Sequence, residues 1–200
     1  AVLYPKSTDE VSRILSICNS ELIPVVPFGA GTSLEGHVLP LKGGISLDMT
    51  EMNKVLKISA EDLTVRVEAG VTRVTLNNLL SKEGLFFSVD PGADATLGGM
   101  ASTGAAGTTT VKYGSMRENV LALTAVLADG TLINVGRSTR KLSAGYDLTR
   151  LLVGSEGTLA VITELTLRIF GIPERMSAAI VRFNSLAAGV AAATRVVKMG

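Results

Sequence analysis

The chain has 200 residues, 46% hydrophobic and 18% charged, with a formal net charge of +1. That length supports one or two domains with a proper core, and the balanced charge offers no electrostatic reason to expect DNA, RNA or an anionic membrane as partner. No apolar run is long enough to encode a transmembrane helix, and the opening AVLYPKSTDE lacks the basic-then-apolar order of a signal peptide.

The first predicted element is a helix over Ser7 to Asn19. Ser7 and Glu10 have capping-box spacing, and Val11, Ile14, Leu15 and Cys18 recur at helical intervals. Cys18, the only cysteine, therefore reads as a buried spectator; it excludes an internal disulfide and fits a reducing compartment. Leu22 to Phe28 reads as a buried strand, Ile45 to Met49 as a second, and Val55 to Ile58 as a third. Leu63, Val65 and Val67 alternate with Thr64, Arg66 and Glu68, the pattern of a half-buried strand. Thr72 to Lys82 reads as a helix ending before Gly84. Leu121 to Leu127 and Thr131 to Val135 flank Asp129-Gly130, a hairpin signal. Asp147 to Val153 reads as a short helix with Asp147 near its cap, and Leu159 to Phe170 as a long antiparallel strand. Beyond Pro173, Ala178 to Phe183 reads as a strand and Ser185 to Met199 as a helix. The pattern is βαβ at the front and mostly strands later, which makes the class α+β rather than doubly wound.

Two stretches stand apart from this ordinary sequence. The first is Pro27-Phe28-Gly29-Ala30-Gly31-Thr32-Ser33-Leu34-Glu35-Gly36; the second runs from Asp90 to Gly114, DPGADATLGGMASTGAAGTTTVKYG. Gly, Ala, Ser and Thr dominate both, and charges are few. Such chain exposes backbone N–H groups that can hold a phosphate without Lys or Arg. Two such stretches suggest a long ligand with a phosphate centre, a dinucleotide. The G-x-x-x-x-G-K-[ST] pattern is absent, which argues against a P-loop. Gly29-Ala30-Gly31 with Asp48 downstream imitates a Rossmann fingerprint, but Leu34 stands where the third glycine belongs and no helix-forming run follows. Taken alone, the first loop could also be a plain strand-to-strand connection. With one histidine, His37, and one cysteine, no clustered metal site is expected. A Ser-His-Asp triad would have to use His37, and no G-x-S-x-G elbow exists.

A third segment, GYDLTRLLVGSEGTLAVITE from Gly145 to Glu164, completes the set. Together the three ordered motifs resemble the FAD-binding half of the vanillyl-alcohol-oxidase, or PCMH-type, flavoprotein superfamily, and within it the FAD-linked D-lactate dehydrogenases and glycolate oxidase D-subunits. The resemblance implies a small βαβ subdomain over 1–60 and a larger antiparallel one over 61–174, holding FAD between them. Residues 175–200 would be the first βα unit of a substrate or cap domain, and the missing initiator Met and helix-like end suggest a piece of a longer protein.

On this resemblance, Pro27, Gly29, Ala30, Gly31, Thr32, Ser33 and Leu34 wrap the pyrophosphate. Pro91, Gly92, Ala93, Thr96, Leu97, Gly98, Gly99, Ala101, Ser102, Gly104, Ala105 and Ala106 line the ribityl and pyrophosphate region and one side of the isoalloxazine. Glu156, Gly157, Val161 and Ile162 pack near the adenosine. Thr32 stands where some relatives carry a flavin-linking histidine, so non-covalent FAD is expected. His37, just past the loop, reads as a surface or satisfied residue, Glu156 as a turn residue, and Lys112, Arg117, Arg140 and Lys141 as solvated. The resemblance implies oxidation of a D-2-hydroxy acid, of D-lactate or glycolate type, to a 2-oxo acid by hydride transfer from C2 to flavin N5. Electrons would then pass to a cytochrome, quinone or electron-transfer protein. Other implied readings are another flavoenzyme of the fold, such as an alkylglycerone-phosphate synthase or sugar-lactone oxidase, and a non-catalytic FAD-binding module. No catalytic base is assigned in these residues, and the fragment is expected to be inactive alone. Cytoplasm and mitochondrion both remain open as compartments.

Overall fold

The structure is a computed structural model and describes residues 1–139, 141 and 143–199, so Arg140 lies outside the described residues. The chain opens with β1 (Val2–Leu3), then α1 (Thr8–Ser20), β2 (Val25–Phe28) and β3 (Ile45–Asp48). These strands form a parallel sheet in the order β1-β3-β2. The α1 helix starts where its cap dictates. The Ser7 hydroxyl accepts from the Glu10 N–H at 3.2 Å, while the Glu10 carboxylate reaches back to the Lys6 N–H at 2.7 Å. The capping partner is thus one residue earlier than a capping box would place it. Val11, Leu15 and Cys18 are buried, as their spacing predicts. The β2 strand is shorter than expected: Leu22 adopts φ 53 and is 88% exposed, so extended pairing begins only at Val25.

The larger sheet contains β4 (Val55–Ser59), β5 (Thr64–Glu68), β7 (Val120–Leu127), β8 (Leu132–Gly136) and β9 (Ala160–Arg168). Its order is β4-β5-β9-β7-β8, antiparallel throughout. The short β6 (Leu85–Phe86) and β10 (Phe170–Gly171) pair separately. The hairpin at Asp129-Gly130 forms as expected; Gly130 holds φ 88 and its carbonyl accepts from the Ser12 hydroxyl of α1 at 2.6 Å. The β4 strand pairs with β5 and so belongs to the five-stranded sheet. Nor is β5 half-buried: Thr64 and Glu68 are buried with the apolar residues, and only Arg66 is exposed. Glu68 tolerates this because its carboxylate accepts from the Lys54 N–H at 2.8 Å.

The remaining helices are α2 (Arg73–Leu80), α3 (Leu97–Thr103), α4 (Thr110–Tyr113), α5 (Met116–Asn119), α6 (Leu148–Leu152) and α7 (Leu186–Lys198). Two cores result. The larger, including Leu76, Phe87, Leu97, Met116 and Leu165, fills the space between the five-stranded sheet and α2, α3 and α5. The smaller joins Val11 and Leu15 of α1 and Leu47 of β3 to Val126 of β7 and Val161 of β9. Each of these side chains contributes roughly 1.5–3 kcal/mol on burial, so α1 fastens the small lobe to the large sheet. After Pro173 the expected strand over 178–183 is absent. No strand among the described residues pairs there, and an unpaired strand has no ladder to hold it. The α7 helix forms from its Ser185 cap, and Ile180, Phe183, Val190 and Val196 are exposed.

Candidate functional site

A cleft of about 200 Å³ opens where the C-terminal end of β2 meets α3 and the start of β9. Ligands of parallel sheets commonly lie beyond the carboxyl ends of the strands. Three chain segments line it. The first loop contributes Pro27, Gly29, Ala30, Gly31, Thr32 and Ser33. The second stretch contributes Pro91, Ala93, Thr96, Gly98, Gly99, Ser102 and Ala105, and the third Glu156, Gly157, Val161 and Ile162. All were singled out in the sequence.

The second stretch is not the extended chain its composition suggests. Residues Leu97–Thr103 form α3, with the Thr96 hydroxyl capping the Gly99 N–H and Gly104, at φ 63, ending it. Helical spacing then sorts the expected residues. Gly98, Gly99 and Ser102 reach the cleft, whereas Leu97 and Ala101 are fully buried in the core and do not. Leu34 is 96% exposed and stands off the cleft, as do Gly92, Gly104 and Ala106. Sequence reasoning missed Phe28, His37, Val38, Met49, Ala69, Ala95, Met100, Thr103 and Ala160, which also line the cleft. Phe28, Ala95, Met100, Thr103 and Ala160 sat inside the three quoted stretches, whereas His37, Val38, Met49 and Ala69 lie outside them, where no motif marks the site.

The glycines explain how the walls come together. A Cβ on Gly29 would overlap the Thr96 hydroxyl, so the first loop rests directly on the cap of α3. A Cβ on Gly98 would lie 2.6 Å from the Ala69 Cβ and 2.9 Å from its carbonyl oxygen. That packing brings α3 against the end of β5. Gly99 is different: its Cβ would meet only the Thr96 hydroxyl, at 3.0 Å, and it borders the cleft.

The free donors are concentrated in the first loop. The N–H groups of Leu97 and Gly98 already donate to the carbonyls of Val71 and Ala69, each at 2.8 Å. Among the described residues the N–H groups of Ala30, Gly31, Thr32 and Ser33 have no protein acceptor. No Lys or Arg lines the cleft among the described residues. Lys112, Arg117 and Lys141 are exposed away from it. An anion here would be held by main-chain N–H groups, the arrangement that suits a diphosphate.

The third segment is pinned to α3. Gly154 and Glu156 donate their N–H groups to the carbonyls of Ala101 and Ser102, each at 2.9 Å. Gly154 and Gly157 have φ 89 and 76, and Glu156 adopts φ 51 between them. Asp90 secures the far end of the second stretch: its carboxylate accepts from the Thr108 hydroxyl at 2.7 Å and from the Thr109 N–H at 3.1 Å and hydroxyl at 2.9 Å. Burial pushes the Asp90 carboxyl up, but these Thr108 and Thr109 donors outweigh it and hold it below the usual carboxylate range. A second cavity, of about 490 Å³, shares Pro27, His37, Glu156, Gly157, Ala160 and Val161 with the cleft.

A protein-family model described as an FAD binding domain matches residues 1–136. The chain belongs to this FAD-binding domain family. Its relatives include a probable mitochondrial D-lactate dehydrogenase of Danio rerio, 50% identical over the whole chain and covered to 41% of its own length. The mitochondrial D-lactate dehydrogenase [cytochrome] of Arabidopsis thaliana is 48% identical over 96% of this chain and 34% of its own. The glycolate oxidase subunit of Bacillus subtilis is 43% identical over 87% of this chain and 37% of its own. Among solved structures, an alkyldihydroxyacetonephosphate synthase superposes with a TM-score of 0.76 at 28% identity, over 87% of this chain and 34% of that one. The PCMH-type fold and FAD as cofactor follow from these matches. The FAD-binding chain spans between a third and two-fifths of the length of these curated relatives. Among its described residues no helix is long and apolar enough to cross a membrane.

Proposed function

We propose that this chain is the FAD-binding part of a D-2-hydroxyacid dehydrogenase or oxidase of D-lactate or glycolate type. One observation carries the reading: a cleft with no Lys or Arg among its described lining residues, floored by small residues, which α3 shares with four residues of a single loop whose N–H groups have no protein acceptor. Those residues fit FAD. Ala30 to Ser33 would hold the diphosphate, Gly98, Gly99 and Ser102 would leave room for a flat body, and Val161 and Ile162 would pack against the adenosine. FAD, when bound, supplies the two-electron acceptor that turning a 2-hydroxy acid into a 2-oxo acid requires. The protein's share is to bind it, orient it and exclude water. Thr32 offers a hydroxyl where a covalent link would need an imidazole, so the cofactor is non-covalent.

Residues 1–174 constitute the cofactor domain and 175–200 begin a further domain that completes the substrate site. The exposed apolar residues of α7 support that division. The base and the carboxylate clamp then lie outside this chain, which binds FAD but does not turn over substrate. A cytochrome or comparable carrier accepts the electrons, and the location is mitochondrial, by analogy with the Danio and Arabidopsis relatives. The likeness to the alkyldihydroxyacetonephosphate synthase favours a second chemistry on the same fold, but at 28% identity against 43–50% it is the weaker guide. Reduction of the full-length protein's flavin by D-lactate or glycolate under anaerobic conditions tests the assignment. Flavin that neither acid bleaches would refute it.

A further inference from the structure

His37 and Glu156 come from different lobes and meet at the junction of the cleft with the second cavity. His37 lies midway along the loop that runs from Gly29 to Gly44 between β2 and β3; Glu156 sits in the turn pinned to α3. The His37 Nδ1 lies 3.7 Å from the Glu156 Oε2, within ion-pair range but beyond a hydrogen bond. That nitrogen is buried and has no hydrogen-bond partner, which native interiors seldom tolerate without a ligand or water. Glu156 is held in the left-handed region at φ 51, a conformation that side chains other than glycine avoid and that concentrates at functional sites. Glu156 faces the imidazole, and Glu35, two residues before His37 on the same loop, is a further carboxylate within its electrostatic reach. His37 is the one cleft-lining side chain, among the described residues, able to carry positive charge.

We propose that His37 is a cofactor-positioning residue. As the imidazolium it pairs with Glu156 across the cleft and closes the Ala30–Ser33 N–H groups onto the FAD diphosphate, so FAD is held more tightly by the protonated than by the neutral histidine. The inference rests on the FAD reading of the cleft. A diphosphate is anionic throughout the range in which an imidazole ordinarily exchanges its proton, so a pH series is the natural probe of this pair. The side chains of His37 and Glu156 are 23% and 44% exposed, and screening limits the effect. The value of a partly exposed pair corresponds to a change of about two- to fivefold in affinity.

The test is the FAD dissociation constant of the full-length apoprotein, by flavin fluorescence, from about pH 5.5 to 8.5 at fixed ionic strength, a window centred on the ordinary histidine pKa. In the wild type the constant rises about two- to fivefold across that window as the proton leaves. In His37→Gln it is flat and lies near the wild-type high-pH value, and in Glu156→Gln the rise is shallower. Each slope is read within one variant, so small differences in stability do not enter. A wild-type slope preserved in His37→Gln overturns the proposal, as does a flat wild type; a full slope in Glu156→Gln overturns the pairing. Loss of FAD binding at every pH in the wild type would instead refute the cleft assignment.

Discussion

Gly98 and Gly99 are neighbours in α3, yet substitution should separate folding from binding. At Gly98 a new Cβ meets the Ala69 Cβ at 2.6 Å and its backbone carbonyl at 2.9 Å. Neither atom can retreat without moving β5, so Gly98→Ala should cost roughly 1–3 kcal/mol of overpacking. At about 2–4 °C per kcal/mol for a domain of this size, the melting temperature falls by about 2–12 °C. At Gly99 the Cβ meets only the Thr96 hydroxyl at 3.0 Å, the end of a side chain. Replacing a helical glycine by valine recovers roughly 0.3–0.5 kcal/mol of propensity, which partly offsets that contact. Gly99→Val should therefore melt within about 4 °C of the wild type. Its branched side chain nevertheless occupies space bordering the cleft, and FAD affinity should fall at least about tenfold, or 1.4 kcal/mol. Thermal melts by circular dichroism on the apoproteins, with FAD titration of the same samples, give both numbers. Wild-type FAD affinity in Gly99→Val, or a melt as depressed as that of Gly98→Ala, would refute the assignment of α3 as a wall of the site.

Two further outcomes follow from the packing and electrostatics of the same region. Gly29→Ala overlaps the Thr96 hydroxyl and should cost about 1–3 kcal/mol, and Thr96→Ala should cost about 1 kcal/mol through loss of the α3 cap; because the second change removes the first clash, the double variant should be more stable than the two losses summed, and strict additivity in chemical denaturation would contradict the contact. Asp90 has a depressed folded-state pKa, so its contribution to stability is present above the unfolded value of about 3.9 and is lost as pH falls through the lower folded value. Asp90→Asn should therefore destabilise at neutral pH, with the gap to the wild type closing as the pH drops below about 4; a gap that stays constant from pH 7 to 3 would show that the carboxylate's charge contributes nothing.

The parts of the fold legible in the sequence were those with a strong period or a local chemical signal. Apolar residues at helical spacing behind Ser7 gave away α1, and Asp129-Gly130 gave away the β7–β8 hairpin. Burial that depends on distant partners was less visible. Glu68 looks solvent-facing until Lys54 is seen to satisfy its carboxylate, and β4 looks like part of the first lobe until it pairs with β5. The α3 helix was hidden by its own composition, since its two glycines, serine and threonine have poor helix propensity. Its punctuation was nonetheless present, with Thr96 as cap and Gly104 as terminator. Missing the helix blurred the site: the motif as a whole belongs to it, but periodicity turns Leu97 and Ala101 inward. The supposed strand over 178–183 carries the right residues without a neighbour to pair with.

The most direct test is an absorbance scan of the purified chain from the near ultraviolet to the blue, after incubation with FAD and removal of the excess, followed by acid precipitation. A two-band yellow spectrum whose colour moves to the supernatant is the predicted result, and means that the cleft holds non-covalent FAD. Colour retained in the pellet would contradict the reading of Thr32. A colourless full-length protein that takes up no FAD would contradict the assignment of the cleft itself.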